Sequence, residues 1–308
     1  QMKGSDLLLS ICIPTNGISQ WIIPTLRAIY SQDVDTDLFE VVITDNGRNS
    51  TLVDDLSIFH YTNLRYIRTE DEGFLNLVTA LKSGNGLFRK MLNHRSIILP
   101  GTINHWLEIV SKYKKDKPII YFSDNQLKKG GFITCPNLDA FIYTLSYWAS
   151  WSAGLSIWDV DVKSLDTIRF NKMFPNTSLL LNIRQESIYV ICDEKYQNMQ
   201  DEAGKGGYDL FHTFAVTFLD ILSELRIDKR ISELTFIFVK KDLLRFLCQW
   251  YQTLLYHKKK YSFFQNNIRD SLLVYYSMSD YYCMKMYPFM KGLFVSIRNK
   301  INNLIGYL

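Results

Sequence analysis

Residues 7–17, Leu7-Leu8-Leu9-Ser10-Ile11-Cys12-Ile13-Pro14-Thr15-Asn16-Gly17, decide how this chain is read. They form an apolar run of strand length, stopped by proline, asparagine and glycine. The run is short, broken by Ser10 and leads straight into a turn, so it reads as a buried strand rather than a secretory leader. Downstream, Trp21, Ile22, Leu26 and Ile29 recur at helical spacing over residues 20–32. A second apolar run, Phe39 to Thr44, ends at the turn signature Asp45-Asn46-Gly47. Leu64 to Arg68 reads as a third strand, Asn76 to Lys82 as a short helix, and Phe88 to Leu92 as a fourth strand entering Asn93-His94-Arg95-Ser96. Pro100-Gly101 opens a helix over residues 102–113 that closes in the charged turn 114–117. Strands alternating with helices predict an α/β fold with a mainly parallel sheet flanked by helices. Ligands of such sheets bind beyond the carboxyl ends of the strands.

After Pro118 the pattern changes. Strands are expected over residues 119–123, 130–135, 151–158 and 187–192, and a helix over 176–184. A polar segment, 193–207, carries Gly204-Lys205-Gly206-Gly207, and from Tyr208 the chain reads as helical almost to its end. The five cysteines are scattered, with no Cys-x-x-Cys pair, which excludes a disulfide framework or a cysteine-paired zinc cluster from the expectation and favours a reducing, cytoplasmic setting. No apolar run reaches the roughly 18 residues of a membrane span. The net charge of +4 conceals an imbalance. Residues 240–308 hold 11 Lys/Arg against 3 Asp/Glu and 15 of the 44 aromatic residues, whereas residues 1–239 are mildly acidic.

The order of these motifs carries a resemblance. Ser10-Ile11-Cys12-Ile13-Pro14-Thr15-Asn16-Gly17, Glu40-Val41-Val42-Ile43-Thr44-Asp45-Asn46-Gly47, Asn63-Leu64-Arg65-Tyr66-Ile67-Arg68, the stretch from Gly86 to Asn93 and Leu99-Pro100-Gly101 together resemble family 2 glycosyltransferases of the GT-A fold, of the bacterial surface-polysaccharide type. The resemblance is closest over residues 7–115 and looser over 116–235. It implies a nucleotide-sugar-binding half (1–115), an acceptor-binding half (116–235) and a basic, aromatic helical extension (236–308). The implied reaction is inverting transfer of a sugar from a nucleotide-diphosphate donor, a UDP-sugar first among the candidates, to a glycan or lipid-linked glycan acceptor in capsule, O-antigen or similar surface-glycan synthesis.

In that frame Asp45 would clamp the nucleoside, Pro14, Thr15 and Asn16 would shape the wall beside it, and Asn76 would face the same cleft. The sequence departs from the family where an acidic motif ordinarily holds Mg²⁺ or Mn²⁺ against the diphosphate. Here the stretch reads Leu92-Asn93-His94-Arg95-Ser96, without a carboxylate. Three readings stand open. Arg95, helped by Lys90 or Lys205, could supply positive charge directly, because a guanidinium binds phosphate oxygens bidentately. Asn93 and His94 could form a poor metal site completed by Asp124, a weak set for hard Mg²⁺. Alternatively the site is inactive, and the chain is a non-catalytic binding or scaffold subunit.

Inversion also requires a general base. The family places a carboxylate at a helix start that here reads Phe174-Pro175-Asn176-Thr177, and the Asn176 amide cannot act as one. Asp159, Asp161, Asp166, Asp201 and Glu202 are the alternatives nearby in sequence. Trp148 or Trp151 could stack on a sugar ring from the acceptor side, with Tyr208, or serve only as core. Glycines 204, 206 and 207 would permit close approach to a phosphate, although the P-loop spacing is absent. The basic aromatic tail, with Leu293, Phe294, Ile297, Ile301, Leu304 and Ile305 at helical spacing, has the composition of a helix lying on an anionic membrane, of a solvated helical subdomain, or of a homo-oligomer interface. Nucleic acid is not an expected partner, since no recognition motif for it is present.

Overall fold

The computed structural model describes residues 7–48, 50–184, 187–201 and 203–305, with side chains described up to Lys291. It divides into two compact units, residues 1–201 and 202–308.

The first unit is built around β1 (Leu9–Thr15), which lies inside a five-stranded sheet together with β2 (Phe39–Asp45), β3 (Leu64–Arg68), β4 (Phe88–Met91) and β8 (Ser156–Trp158). The order is β3-β2-β1-β4-β8; the first four strands run parallel and β8 runs antiparallel to β4, pairing Phe88 with Trp158. A strand flanked on both sides must bury both faces, and β1 does. Leu9, Ile11 and Ile13 point into one core with Ile22, Leu26 and Ile29 of helix α1 (Ser19–Tyr30). Two further helices precede the next layer: a single turn, α2 (Leu52–Asp55), and α3 (Asn76–Ser83), which packs against β1 and β2. Ile103 and Trp106 of α4 (Thr102–Tyr113) complete the core shared with α1. Each such side chain contributes roughly 1.5–3 kcal/mol on burial.

The remaining strands do not extend this sheet. β6 (Ile119–Phe122), β7 (Phe132–Cys135) and β9 (Tyr189–Cys192) form a second, three-stranded sheet in the order β6-β9-β7, with β6 parallel and β7 antiparallel to β9. Helix α5 (Leu138–Leu145) contacts β7, and α6 (Pro175–Asn182) contacts α3. β5 (Ser96–Ile98) and β10 (Gln197–Met199) make a separate antiparallel ribbon. The expected single, mainly parallel GT-A sheet is therefore corrected: the described strands are distributed over four sheets, three of them mixed or antiparallel. The reason is pairing. Ile119 to Phe122 is buried throughout, as an interior parallel strand should be, but its partner is β9 rather than β4.

The second unit is helical apart from a ribbon of β11 (Gly206–Asp209) and β12 (Ser262–Phe264). Its helices are α7 (Leu210–His212), continued through a π-helical turn at Thr213–Phe218 into α8 (Leu219–Ile227), then α9 (Glu233–His257), α10 (Ile268–Leu273) and α11 (Met278–Ile305). The Ser232 hydroxyl caps α9 by accepting the Thr235 amide at 3.1 Å. α9 and α11 pack together, with Lys285 donating to the Tyr251 hydroxyl at 2.7 Å, and Tyr276, in the connection before α11, donates its hydroxyl to the Lys240 carbonyl at 2.8 Å. The polar side chains and rings of this region are thus partly internal, while Leu255, Tyr256 and Phe289 are exposed. The apolar residues expected on the terminal helix, Leu293 to Ile305, have side chains outside the described residues.

Candidate active site

The loops after β1 and β2 are folded tightly against each other. Gly17 lies at φ +81°, and a Cβ there would meet the Ser50 hydroxyl at 2.2 Å; one on Gly47 would meet the Asn16 carbonyl at 2.0 Å. Only glycine fits either place. Between them Asp45 is completely buried. It accepts hydrogen bonds from the Gly47 amide at 2.8 Å, the Tyr66 hydroxyl at 2.9 Å and the Ser50 hydroxyl, and lies 3.3 Å from the Arg68 guanidinium. A buried carboxylate needs such company. Its oxygens are consequently engaged by the chain, and what faces outward is the exposed Asn16 with the half-exposed Arg68.

Asn76 is also buried, at the start of α3. Its amide donates to the carbonyls of Thr15 at 3.2 Å and Thr44 at 2.8 Å, and its oxygen accepts from Thr69 at 3.0 Å. It ties the ends of β1 and β2 together. Pro14 is half-buried beside Thr15, which is itself buried.

The loop after β4 is built on different chemistry. Asn93 accepts the Arg95 amide at 2.9 Å, an Asx turn that fixes the loop. The His94 ring contacts the Thr15 hydroxyl at 2.8 Å through Nδ1, and its carbonyl accepts from Thr25 at 2.8 Å. Burial, reinforced by the neighbouring Arg95 charge, pushes the His94 pKa down to about 4, so the ring is neutral near pH 7. The Arg95 guanidinium lies 4.1 Å from the ring centre of Trp21 in α1, a cation–π contact, and donates to the Asp201 carbonyl at 3.1 Å. Gln200 closes the arrangement: its amide nitrogen donates to the Arg95 carbonyl at 2.9 Å and its side chain to the Trp21 carbonyl at 2.9 Å. The β5–β10 ribbon creates this meeting, since pairing Ser96 with Met199 puts residues 200 and 201 beside residue 95. In the sequence Trp21 is marked only as an apolar position at helical spacing, and nothing local marks Thr25 or Gln200 as part of a site.

Other expected residues lie elsewhere. Lys90 is fully buried, donating to the carbonyls of Met91 and Ala153 among the rings of Trp106, Phe122 and Tyr196, and burial lowers its pKa to about 7. Asp166 is exposed and paired with Lys82 at 2.6 Å. Asn176 is buried in the first turn of α6, donating to the Ser150 carbonyl at 2.9 Å. Asp159 pairs with Lys117, and Asp161 with Arg184. Trp151 is half-buried, its ring edge-on to Trp148. Glu202 lies outside the described residues.

Lys205 and Tyr208 belong to the second unit. There Lys205 sits 5.7 Å from the Trp250 ring, and Tyr208 packs edge-on against Phe263. Of the glycines around Lys205, Gly206 has a steric reason: a Cβ there would meet the Phe263 amide at 2.5 Å, so the β11–β12 pairing needs that glycine.

The groups at residues 93–95 do not fit Mg²⁺ or Mn²⁺. The Asn93 oxygen and His94 Nδ1 are already bonded within the chain, and a guanidinium is the next neighbour. Asp124, the carboxylate offered to complete a set, spends its oxygens on Lys195 at 2.7 Å and on the Tyr196 and Gln197 amides at 2.9 and 3.2 Å. Hard divalent cations require oxygen ligands that can turn toward them.

No protein-family model matches the chain, and no curated protein matches it. Solved structures do. Crystal structures of TarS from S. aureus superpose on it. Residues 1–349 of TarS in complex with UDP-GlcNAc give a TM-score of 0.54 at 15% identity, covering 82% of this chain and 73% of that one. The complex with UDP gives 0.52 at 14% identity over 89% and 77%. A longer TarS structure gives 0.51 at 15% identity, with 82% of this chain covering 44% of it. The class defined is therefore a TarS-like fold. This likeness, with no family model matching, replaces the family 2, GT-A assignment drawn from motif order; the architecture is that of several sheets and a helical unit.

Proposed function

We propose that the protein is a nucleotide-sugar-dependent glycosyltransferase acting on a cell-surface glycopolymer, with the strand-end region of Thr15, Asn16, Arg68 and Arg95 receiving the donor. The observation that carries this reading is Arg95, held over Trp21 and braced by Gln200 in the loop where a diphosphate is met in nucleotide-binding α/β sheets. The fold likeness to TarS, whose structures include UDP and UDP-GlcNAc complexes, supports it. A guanidinium fixed in place stabilises charge that develops on a departing diphosphate, with no reorganisation at the moment of reaction. In this reading the donor is a UDP-sugar, and Asp201, whose backbone meets Arg95, takes the acceptor proton; the Asn176 amide cannot, and Asp166 is drawn onto Lys82. The acceptor is a growing surface glycan, lipid-linked in the finer form of the proposal. The exposed Lys258, Lys259 and Lys260 of the second unit would favour an anionic membrane surface. No helix among the described residues is long and apolar enough to cross a membrane.

Transfer or hydrolysis assays with a panel of nucleotide sugars, with and without EDTA, test the reading. Turnover insensitive to EDTA and reduced about 100-fold or more by Arg95→Ala is the expected result. The second reading, a donor-binding subunit without chemistry, is favoured by the carboxylate-free loop 93–96. Tight donor binding with no turnover for any sugar would decide for it.

A further inference from the structure

Cys192, the last residue of β9, and Glu194 two positions on share one face of the extended chain, while the intervening Asp193 faces the other way. Asp193 is fully buried and accepts hydrogen bonds from Ser123, Leu127, Lys129 and Gly130, which locks the chain direction at this point. Against the Cys192–Glu194 face lies His105 of α4. Its Nε2 is 2.5 Å from the Glu194 carboxylate, and the Cys192 sulfur is 3.9 Å from the same carboxylate. The three donor atoms all lie within 4.8 Å of one another. The His–Glu approach is misaligned for a hydrogen bond, so Nε2 is a buried nitrogen without a hydrogen-bond partner. The other ring nitrogen, Nδ1, lies 3.8 Å from Glu108.

We infer that Cys192, His105 and Glu194 form a binding site for a borderline-soft divalent transition metal, Zn²⁺ in the first place. It uses none of the residues at the ends of β1, β2 and β4, and it does not depend on the proposed transferase activity. Thiolate, imidazole and carboxylate together are zinc ligands rather than magnesium ligands. Bonds of about 2.0–2.3 Å in tetrahedral arrangement place ligand atoms about 3.3–3.5 Å apart. The sulfur–carboxylate spacing already approximates this, and the His–Glu pair needs to open by about 1 Å, the motion a cation entering between them would impose. His105 and Glu194 are each 37% exposed, so the ion has an entry path, whereas buried Cys192 forms the inner wall. A water molecule would supply the fourth ligand, and the Cys192 thiol releases its proton to solvent on binding. The bound ion would pin α4 to the end of β9.

The full chain, stripped with EDTA and then titrated with Zn²⁺ by calorimetry and with Co²⁺ by absorption, tests the site. Expected are one equivalent bound, no competition from Mg²⁺, and a sulfur-to-cobalt charge-transfer band. Cys192→Ser should abolish the band, and His105→Gln or Glu194→Gln, at half-exposed positions that leave folding intact, should weaken Zn²⁺ binding by about 10-fold to 100-fold. Absence of saturable binding would overturn the inference. So would binding unchanged in His105→Gln and Cys192→Ser, or a band lost instead in Cys283→Ser, the variant of the exposed thiol.

Discussion

The loops that follow β2 and β4 flank the end of the same strand, β1, and are built on opposite charges. After β2 the charge is an anion, Asp45, sealed from solvent and engaged by Gly47, Ser50, Tyr66 and Arg68. After β4 it is a cation, Arg95, partly exposed and held by a ring face and a backbone carbonyl. The first arrangement spends its charge on holding loops together. The second holds a charge in position on a ring face, and a positioned charge is what stabilisation of an anionic ligand uses. Of the two, the aspartate is engaged by the chain on all sides, and the arginine is the group to which the proposed function gives the diphosphate.

Breaking the scaffold side should have the largest effect. Asp45→Ala leaves the Gly47 amide and the Ser50 and Tyr66 hydroxyls without their acceptor, so denaturant unfolding should show a loss of about 3–5 kcal/mol. Asp45→Asn, which keeps the shape, should lose less. An Asp45→Ala variant as stable as the parent would mean that the loop is held by other contacts.

A smaller effect is expected from the histidine that joins the two sides. Because the folded His94 pKa is held near 4, below the ordinary 6.5, the unfolded chain takes up the proton more readily. Stability from this group is therefore complete above about pH 6.5 and declines as pH falls toward about 4, by up to about 3 kcal/mol. Comparing the pH dependence of unfolding in the parent and in His94→Gln isolates it; parallel curves would show that the imidazole is not buried as described.

The smallest effect sharpens the cation side. Trp21→Leu keeps the apolar contact of α1 and removes the ring face under Arg95, a change worth about 0.5–2 kcal/mol. UDP-sugar KM should rise about 3-fold to 10-fold while the melting temperature moves little. An unchanged KM together with a large drop in melting temperature would make Trp21 a core residue only.

Much of the scaffold side could be read from the sequence. The strand ending at Thr15, the turn at Asp45-Asn46-Gly47 and the helix over 20–32 are written in local periodicity and turn chemistry, which act over a few residues. The carboxylate-free loop 93–96 and the basic aromatic tail were equally legible, being matters of composition. Asn76 could be named but not placed, because its cross-strand bonds to Thr15 and Thr44 join positions 61 and 32 residues away. Gln200 could not be found at all. Its bond to Trp21 spans 179 residues and exists only because β10 pairs with β5.

The same distinction explains the metal-site inference. Spacing rules detect ligands close together in sequence, and the scattered cysteines offered none. His105, Cys192 and Glu194 become neighbours only when α4 packs beside the end of β9. By itself, then, the sequence determined where strands and helices begin, which turns demand glycine, and how charge is divided along the chain. The tertiary structure alone decided that the strands pair as four sheets instead of one, that Asp45 faces inward, and that Arg95 rests on Trp21. Those outcomes depend on which buried surfaces and unpaired backbone groups find each other across long stretches of chain, a competition that no local pattern encodes.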